Sequence, residues 1–245
     1  SCLVGSEMCI RDSIGAIHSF SFHNYVTLFT TPELIDMIIG SIALAIGSAV
    51  LATILGTTGA IGAFYSKKNV NGTMSVLNQI PVVNADVVTG FSLCILLVVV
   101  FGVSKNTYIP LIIGHTVLSA PFVYLAVVPK LKQMDPSLYE AALDLGATPG
   151  YTLIHIIIPQ IASGIVSGFV MAVTLSLDDY FVATYTKPAT FDTISTYVVN
   201  ATKGSQTNIR TALWALSTII FLIVVIVEVV MNFAPIKNEA QKEKH

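Results

Sequence analysis

Three carboxylates and one stretch of small residues stand out in a chain that is otherwise mostly apolar. Asp178 and Asp179 are adjacent and end a long apolar run, while Asp86, beside Asn84, lies near the start of another. A carboxylate at the centre of a bilayer costs about 2.5–3.5 kcal/mol on insertion scales. The cost falls toward the interface, where a solvated helix end is an equally good account. Tyr180, Phe181 and Tyr185 stand beside the first pair, and aromatic faces next to acids can hold a cation. For Asp178 and Asp179 a place in a path through the membrane and a plain helix end both stay open. Asp86 either lines such a path or, more simply, pairs with a backbone or hydroxyl group of a neighbouring span. Charge bias sets it about a turn inside one membrane face, with Asp178 and Asp179 near the other. His115 falls in a third apolar run, where a histidine ordinarily hydrogen-bonds between helices. Glu228, late in the last run, reaches the interface or a lysine and is given no role.

The second feature is Glu140-Ala141-Ala142-Leu143-Asp144-Leu145-Gly146. Asp135 supplies an N-cap acceptor and Pro136 suits the first helical position, where its missing N–H costs nothing. Gly146 is the matching stop, a residue free to take positive φ. The helix between them has about ten residues, or roughly 15 Å, too short to cross a bilayer. Leu138, Ala141, Ala142 and Leu145 recur at helical spacing as a small apolar ridge that suits a groove. Glu140 adds a charge in the first turn, where the helix dipole tolerates it.

The elements that must carry these residues follow from composition. The chain is 54% hydrophobic and 11% charged, against roughly 25% charged in soluble domains, so an all-α integral membrane protein is expected. A net charge of −2 gives no reason to expect nucleic acid. The three cysteines have neither disulfide nor zinc spacing. Residues 1–13 read as a spurious or disordered leader, and 14–34, rich in aromatics, as an extracytoplasmic or interfacial segment. Apolar runs predict five spans: 35–64, 82–103, 110–128, 151–177 and 211–233. Gly56, Gly59 and Gly62, and then Gly164 and Gly168, have the spacing of close helix packing. Lys67, Lys68, Lys130, Lys132, Lys237, Lys242 and Lys244 outnumber the basic residues of the alternate loops. The short helix and the charged tail 237–245 are therefore expected in the cytoplasm. Five spans with that orientation imply that a first span is missing.

Glu140-Ala141-Ala142, Gly146 three residues on, and Ile156-x-Ile158-Pro159 nine residues later resemble the EAA signature of ABC-transporter permeases, with Ile158 where leucine is usual. The resemblance covers residues 14–236. It is nearest to permeases of spermidine/putrescine importers of the PotC type, through the order of spans and Ser176-Leu177-Asp178-Asp179-Tyr180. It implies the type I ABC-importer permease fold, a permease domain over 35–236, and a coupling helix at about 135–146 that docks on an ATPase through Glu140, Ala141, Ala142, Gly146 and Pro159. It also implies an ATP-binding subunit dimer, a second homologous permease, an extracytoplasmic solute-binding protein and surrounding membrane lipid as partners. ATP belongs to the partner subunit, because the chain has no G-x-x-x-x-G-K-[ST] loop, and no cofactor or metal is expected here. Asp178, Asp179, Tyr180 and Asp86 become candidates for contact with a polyamine, a chain of ammonium groups. A permease for another small solute remains the first alternative. An ion-driven secondary transporter needs inverted repeats that are not evident, and a membrane enzyme lacks H-E-x-x-H or G-x-S-x-G.

Overall fold

Small residues decide how the helices of this chain meet. The computed structural model describes residues 32–66, 84–135 and 137–203, with isolated positions between 72 and 82 and between 221 and 225. The leader 1–13, residues 14–31, Lys67, Lys68, Pro136, Glu228, the tail 237–245 and most of the run at 211–233 lie outside the described residues. Those that are described form helices and turns, with no strand among them. They divide into two compact units, Leu44–Pro188 and a second made from Ser1–Ala43 with Ala189–His245.

The helices are α1 (Pro32–Phe64), α2 (Asp86–Val100), α3 (Ile109–Gln133), α4 (Ser137–Asp144), α5 (Pro149–Gln160), α6 (Ala162–Asp178), α7 (Phe181–Thr186) and α8 (Ile194–Lys203). Two of them, over Ile35–Phe64 and Ile109–Gln133, are long and apolar enough to cross a membrane, as the apolar runs there predict. The core of the larger unit sets Ala49, Ala52, Ala60 and Ala63 of α1 against Val123, Tyr124, Val127 and Leu131 of α3, with Ile157, Ile161 and Ala172. Lipid is as apolar as leucine, so helices in it associate through close packing, which small residues permit. Gly164 and Gly168 bring α6 onto the Val123–Lys130 stretch of α3, and Gly56 sits against Val123 and Ala120. Gly59 and Gly62 have no atom within 4 Å of where a Cβ would stand, so of that triplet Gly56 alone meets a described neighbour.

Two expected spans take another form. The run at 151–177 is a pair of helices, α5 and α6, that meet at a 71° bend. Pro159 removes a backbone donor there, a π-helical turn over Leu153–Ile157 precedes it, and Ile161 leaves the helical region at φ −95°, ψ 6°. α2 is shorter than a bilayer requires, with ten α-helical residues followed by a five-residue π turn. Residues 178–193, which follow the expected span at 151–177, contain α7, and α8 follows. In the smaller unit α8 starts on Thr193 and Thr196, whose hydroxyls cap each other's backbone N–H groups. The Ile194 N–H is tied to Ser41 Oγ at 3.0 Å.

Candidate functional site

α4 is stopped at both ends by local chemistry. Asp135 Oδ1 accepts from the Ser137 N–H at 2.9 Å and from its hydroxyl at 2.8 Å. At the other end Gly146 takes φ +84°. Its N–H donates to Leu143 O at 2.9 Å and the Ala147 N–H donates to Ala142 O at 3.0 Å, the paired bonds of a Schellman close. The two Ser137 hydrogen bonds hold the Asp135 carboxyl below its ordinary value. A depressed folded-state pKa contributes stability that is present above the unfolded pKa and lost as pH falls through the folded one. Protection of the Ser137–Glu140 amides against hydrogen exchange is therefore expected to fall below about pH 4, the ordinary aspartate range. Asp135→Ala should lower that protection at neutral pH and erase its pH dependence.

The expected ridge on α4 is split. Leu138 packs on the core, Ala142 is buried, and Tyr139 meets Tyr65 at a ring distance of 4.8 Å. Ala141 and Leu145 are exposed, together with Glu140 and Asp144. The four ridge residues span an arc of about 100°, wide enough for the edge of the buried face to run through its middle. Ala142 thus serves α4's own packing, and the outward face is Glu140, Ala141, Asp144 and Leu145, the last 89% exposed. Gly146 closes that face, while Pro159 lies beyond it on α5, exposed beside the bend.

The acids assemble at the far end of α6. Asp179 is buried, and its carboxylate caps α7, with Oδ1 accepting from Val182 N–H at 3.2 Å and Oδ2 from Ala183 N–H at 2.8 Å. His115 Nε2 of α3 makes no hydrogen bond and stands 3.6 Å from Asp179 Oδ2. The opposite ring nitrogen, Nδ1, shares a 2.8 Å hydrogen bond with Ser176 Oγ of α6, and Ser176 Oγ shares one of 3.2 Å with Ser48 Oγ of α1. His115 therefore bonds between helices, as read from its place in an apolar run. Ser48 and the role of Ser176 are new. Their only signal was a hydroxyl in each of two apolar runs.

α7 lies along α2 through Gly90, where a Cβ would stand 2.9 Å from Val182 Cα and 3.3 Å from its nitrogen. Asp86 precedes Gly90 by one turn and so shares its face. Its carboxylate and that of Asp178 both repel Asp179. Asp86 is thus within electrostatic reach of Asp179, although charge bias in the sequence sets the two far apart. Asp86 and Asp178 are exposed and Tyr180 is half-buried. Tyr180 meets Phe181 edge-on at 5.2 Å, and Phe91 meets Tyr185 at 5.7 Å. The described residues contain no cluster that could hold a metal ion.

The site thus combines short helices that stop and turn between long ones, a capped α4 with an exposed acidic face, and acids at the end of α6. Residues 57–234 match the family of binding-protein-dependent transport system inner membrane components, and the chain belongs to that family. It is similar to the spermidine/putrescine transport system permease protein PotC of Haemophilus influenzae, at 30% identity over 223 residues, covering 89% of this chain and 83% of the relative. The PotC permease of Escherichia coli is 28% identical over 206 residues, covering 82% and 76%. Among solved structures, a bacterial alginate ABC transporter in complex with an alginate pentasaccharide-bound periplasmic protein matches with a TM-score of 0.66 at 19% identity, over 86% of this chain and 82% of that one. That last likeness is one of fold, the type I permease fold. The chain is a permease subunit of an ABC importer in the inner membrane, not an enzyme, and a separate subunit hydrolyses ATP. An importer of this class works with an ATPase and a binding protein.

Proposed function

We propose that this subunit forms part of the membrane path of a polyamine importer and is driven through α4. The observation that carries the cargo is that Asp86 and Asp178 are both exposed and both within electrostatic reach of the buried Asp179, where α2, α6 and α7 come together. Tyr180 and the Phe181 ring stand beside them. Separated carboxylates next to aromatic rings suit a flexible chain of ammonium groups, and the names of the relatives point the same way. Asp86, Asp178 and Tyr180 face the cargo, with Asp179 behind them.

The outward face of α4 (Glu140, Ala141, Asp144 and Leu145) docks in a groove on the ATPase, so α4 and the C-terminus face the cytoplasm. A second homologous permease supplies the other half of the path, and the permease domain runs over 35–236. ATP binding brings the docked helices together. The path then changes its opening, and affinity for the cargo must differ between the two states.

The test is reconstitution in vesicles with the second permease, the ATPase and the binding protein, measuring ATP-dependent uptake across a panel of polyamines and unrelated solutes. Asp178→Asn is expected to raise the KM for polyamine about tenfold, the size of one charge-assisted hydrogen bond, with assembly unchanged. Unaltered uptake in Asp178→Asn and Asp86→Asn would remove both residues from the path.

A further inference from the structure

Two adjacent aspartates at the end of one helix stand in opposite surroundings. Asp178 is exposed, whereas Asp179 is buried with both oxygens engaged by the first N–H groups of α7. Behind Asp179 a line of side chains crosses the unit: His115 Nε2 at 3.6 Å, then Ser176 through His115 Nδ1, then Ser48. Ser48 and His115 are wholly buried and Ser176 nearly so. Polar groups this deep cost free energy unless they are partnered. Ser48, Ser176 and His115 Nδ1 partner one another across α1, α6 and α3, while His115 Nε2, with no hydrogen bond, faces the Asp179 carboxylate. α7 also packs on α2 and α3, with Val182, Ala183 and Thr186 buried. It is six residues long, too short to hold a helical form alone, and Gly90 and Gly114 meet it through Val182 and Thr186.

We propose that His115, Ser176 and Ser48 are positioning residues: through Asp179 they anchor α7 against α2 and so fix the spacing of the cargo-facing acids Asp86 and Asp178. Asp179 then serves as an acceptor for α7, and its charge is not a ligand for the cargo. The assignment rests on the polyamine reading only where it names the cargo; the anchoring of α7 is independent of it.

The experiment uses the reconstituted importer with Cys2, Cys9 and Cys94 replaced by serine. Spin labels are placed on the exposed positions Val87 of α2 and Phe181 of α7, and their distance distribution is measured alongside uptake of spermidine and putrescine by unlabelled protein. His115→Ala and Asp179→Ala are expected to broaden the distribution and to raise the KM for polyamine about tenfold, as loss of a buried hydrogen-bond network does. ATPase association should be retained. Asp179→Asn keeps an acceptor at the cap, where asparagine serves nearly as well as aspartate. It should restore the narrow distribution and a KM within about twofold of wild type. If Asp179→Ala fails to reach the membrane, Ser176→Ala, which deletes a single oxygen, should broaden the distribution in its place.

A narrow distribution in both His115→Ala and Ser176→Ala would overturn the proposal. So would an Asp179→Asn protein as impaired in KM as Asp179→Ala, because the negative charge itself would then be needed. Broadening with no change in polyamine KM, in these variants and in Asp178→Asn alike, would uphold the anchoring of α7 and overturn the polyamine reading.

Discussion

Gly146→Leu is expected to reach the membrane at normal yield, to lose its hold on the ATPase and to abolish ATP-driven uptake. The backbone at Gly146 has φ +84°, a conformation that costs a residue with a Cβ about 1–2 kcal/mol. A leucine there either bears that strain or unwinds the close of α4, breaking the Gly146-to-Leu143 and Ala147-to-Ala142 bonds. In the second case Asp144 and Leu145 leave the face they share with Glu140 and Ala141. The loss of co-purified ATPase should be tenfold or more, since about 1.4 kcal/mol is a factor of ten. Gly146→Asn is the informative companion, because asparagine enters the left-handed region more readily than other side chains. It should keep most of the uptake. Glu140→Arg tests the same surface by charge, leaving the fold of α4 intact while weakening association. Normal uptake in both Gly146→Leu and Glu140→Arg would mean that α4 does not couple.

Gly90→Ala should be nearly as damaging, for a different reason. The added methyl group would stand 2.9 Å from Val182 Cα and 3.4 Å from Phe181 O. Backbone cannot rotate out of the way as a side chain can, so α7 must move off α2. Overpacking of this kind costs about 1–3 kcal/mol, and the displacement falls on Asp86 and Asp178. Uptake is expected to drop about tenfold with ATPase association unchanged, the reverse of the Gly146→Leu pattern. Gly59→Ala, where no atom lies within 4 Å, serves as the control and should transport normally. An importer indifferent to Gly90→Ala would show that the fit of α7 to α2 does not govern transport.

What could be read from the chain, and what could not, divides along a physical line. Local rules sufficed for α4, because Asp135 and Gly146 act on atoms two to five residues away and their types name the cap and the stop. Apolar length sufficed for Ile35–Phe64 and for α3, whose start at Ile109 was marked by Pro110. The family signature lay in spacing alone and needed no tertiary contact. The rest depended on what each helix meets. A run of apolar residues says that a segment avoids water, but not that it is straight, so the bend at Ile161 was hidden inside one long run despite the warning of Pro159. The nearness of Asp86 to Asp179 depended on Gly90 lying against Val182, a contact between residues far apart in the chain. Asp179 is buried where Asp178 is exposed because the backbone leaves the helix between them and turns extended at Asp179, and the pairing of Ser48, Ser176 and His115 joins three separate helices.

The 71° bend between α5 and α6 has a mechanical consequence. α5 is an arm of about 18 Å at 1.5 Å per residue, following α4 at one end and pivoting on Ile161 at the other. A rotation of about 10° at the pivot carries the far end of the arm through about 3 Å. Under the coupling role proposed for α4, the geometry is that of a crank: a thrust on α4 would arrive at α6 as torque, at the contact where Gly164 and Gly168 let α6 lie close on α3.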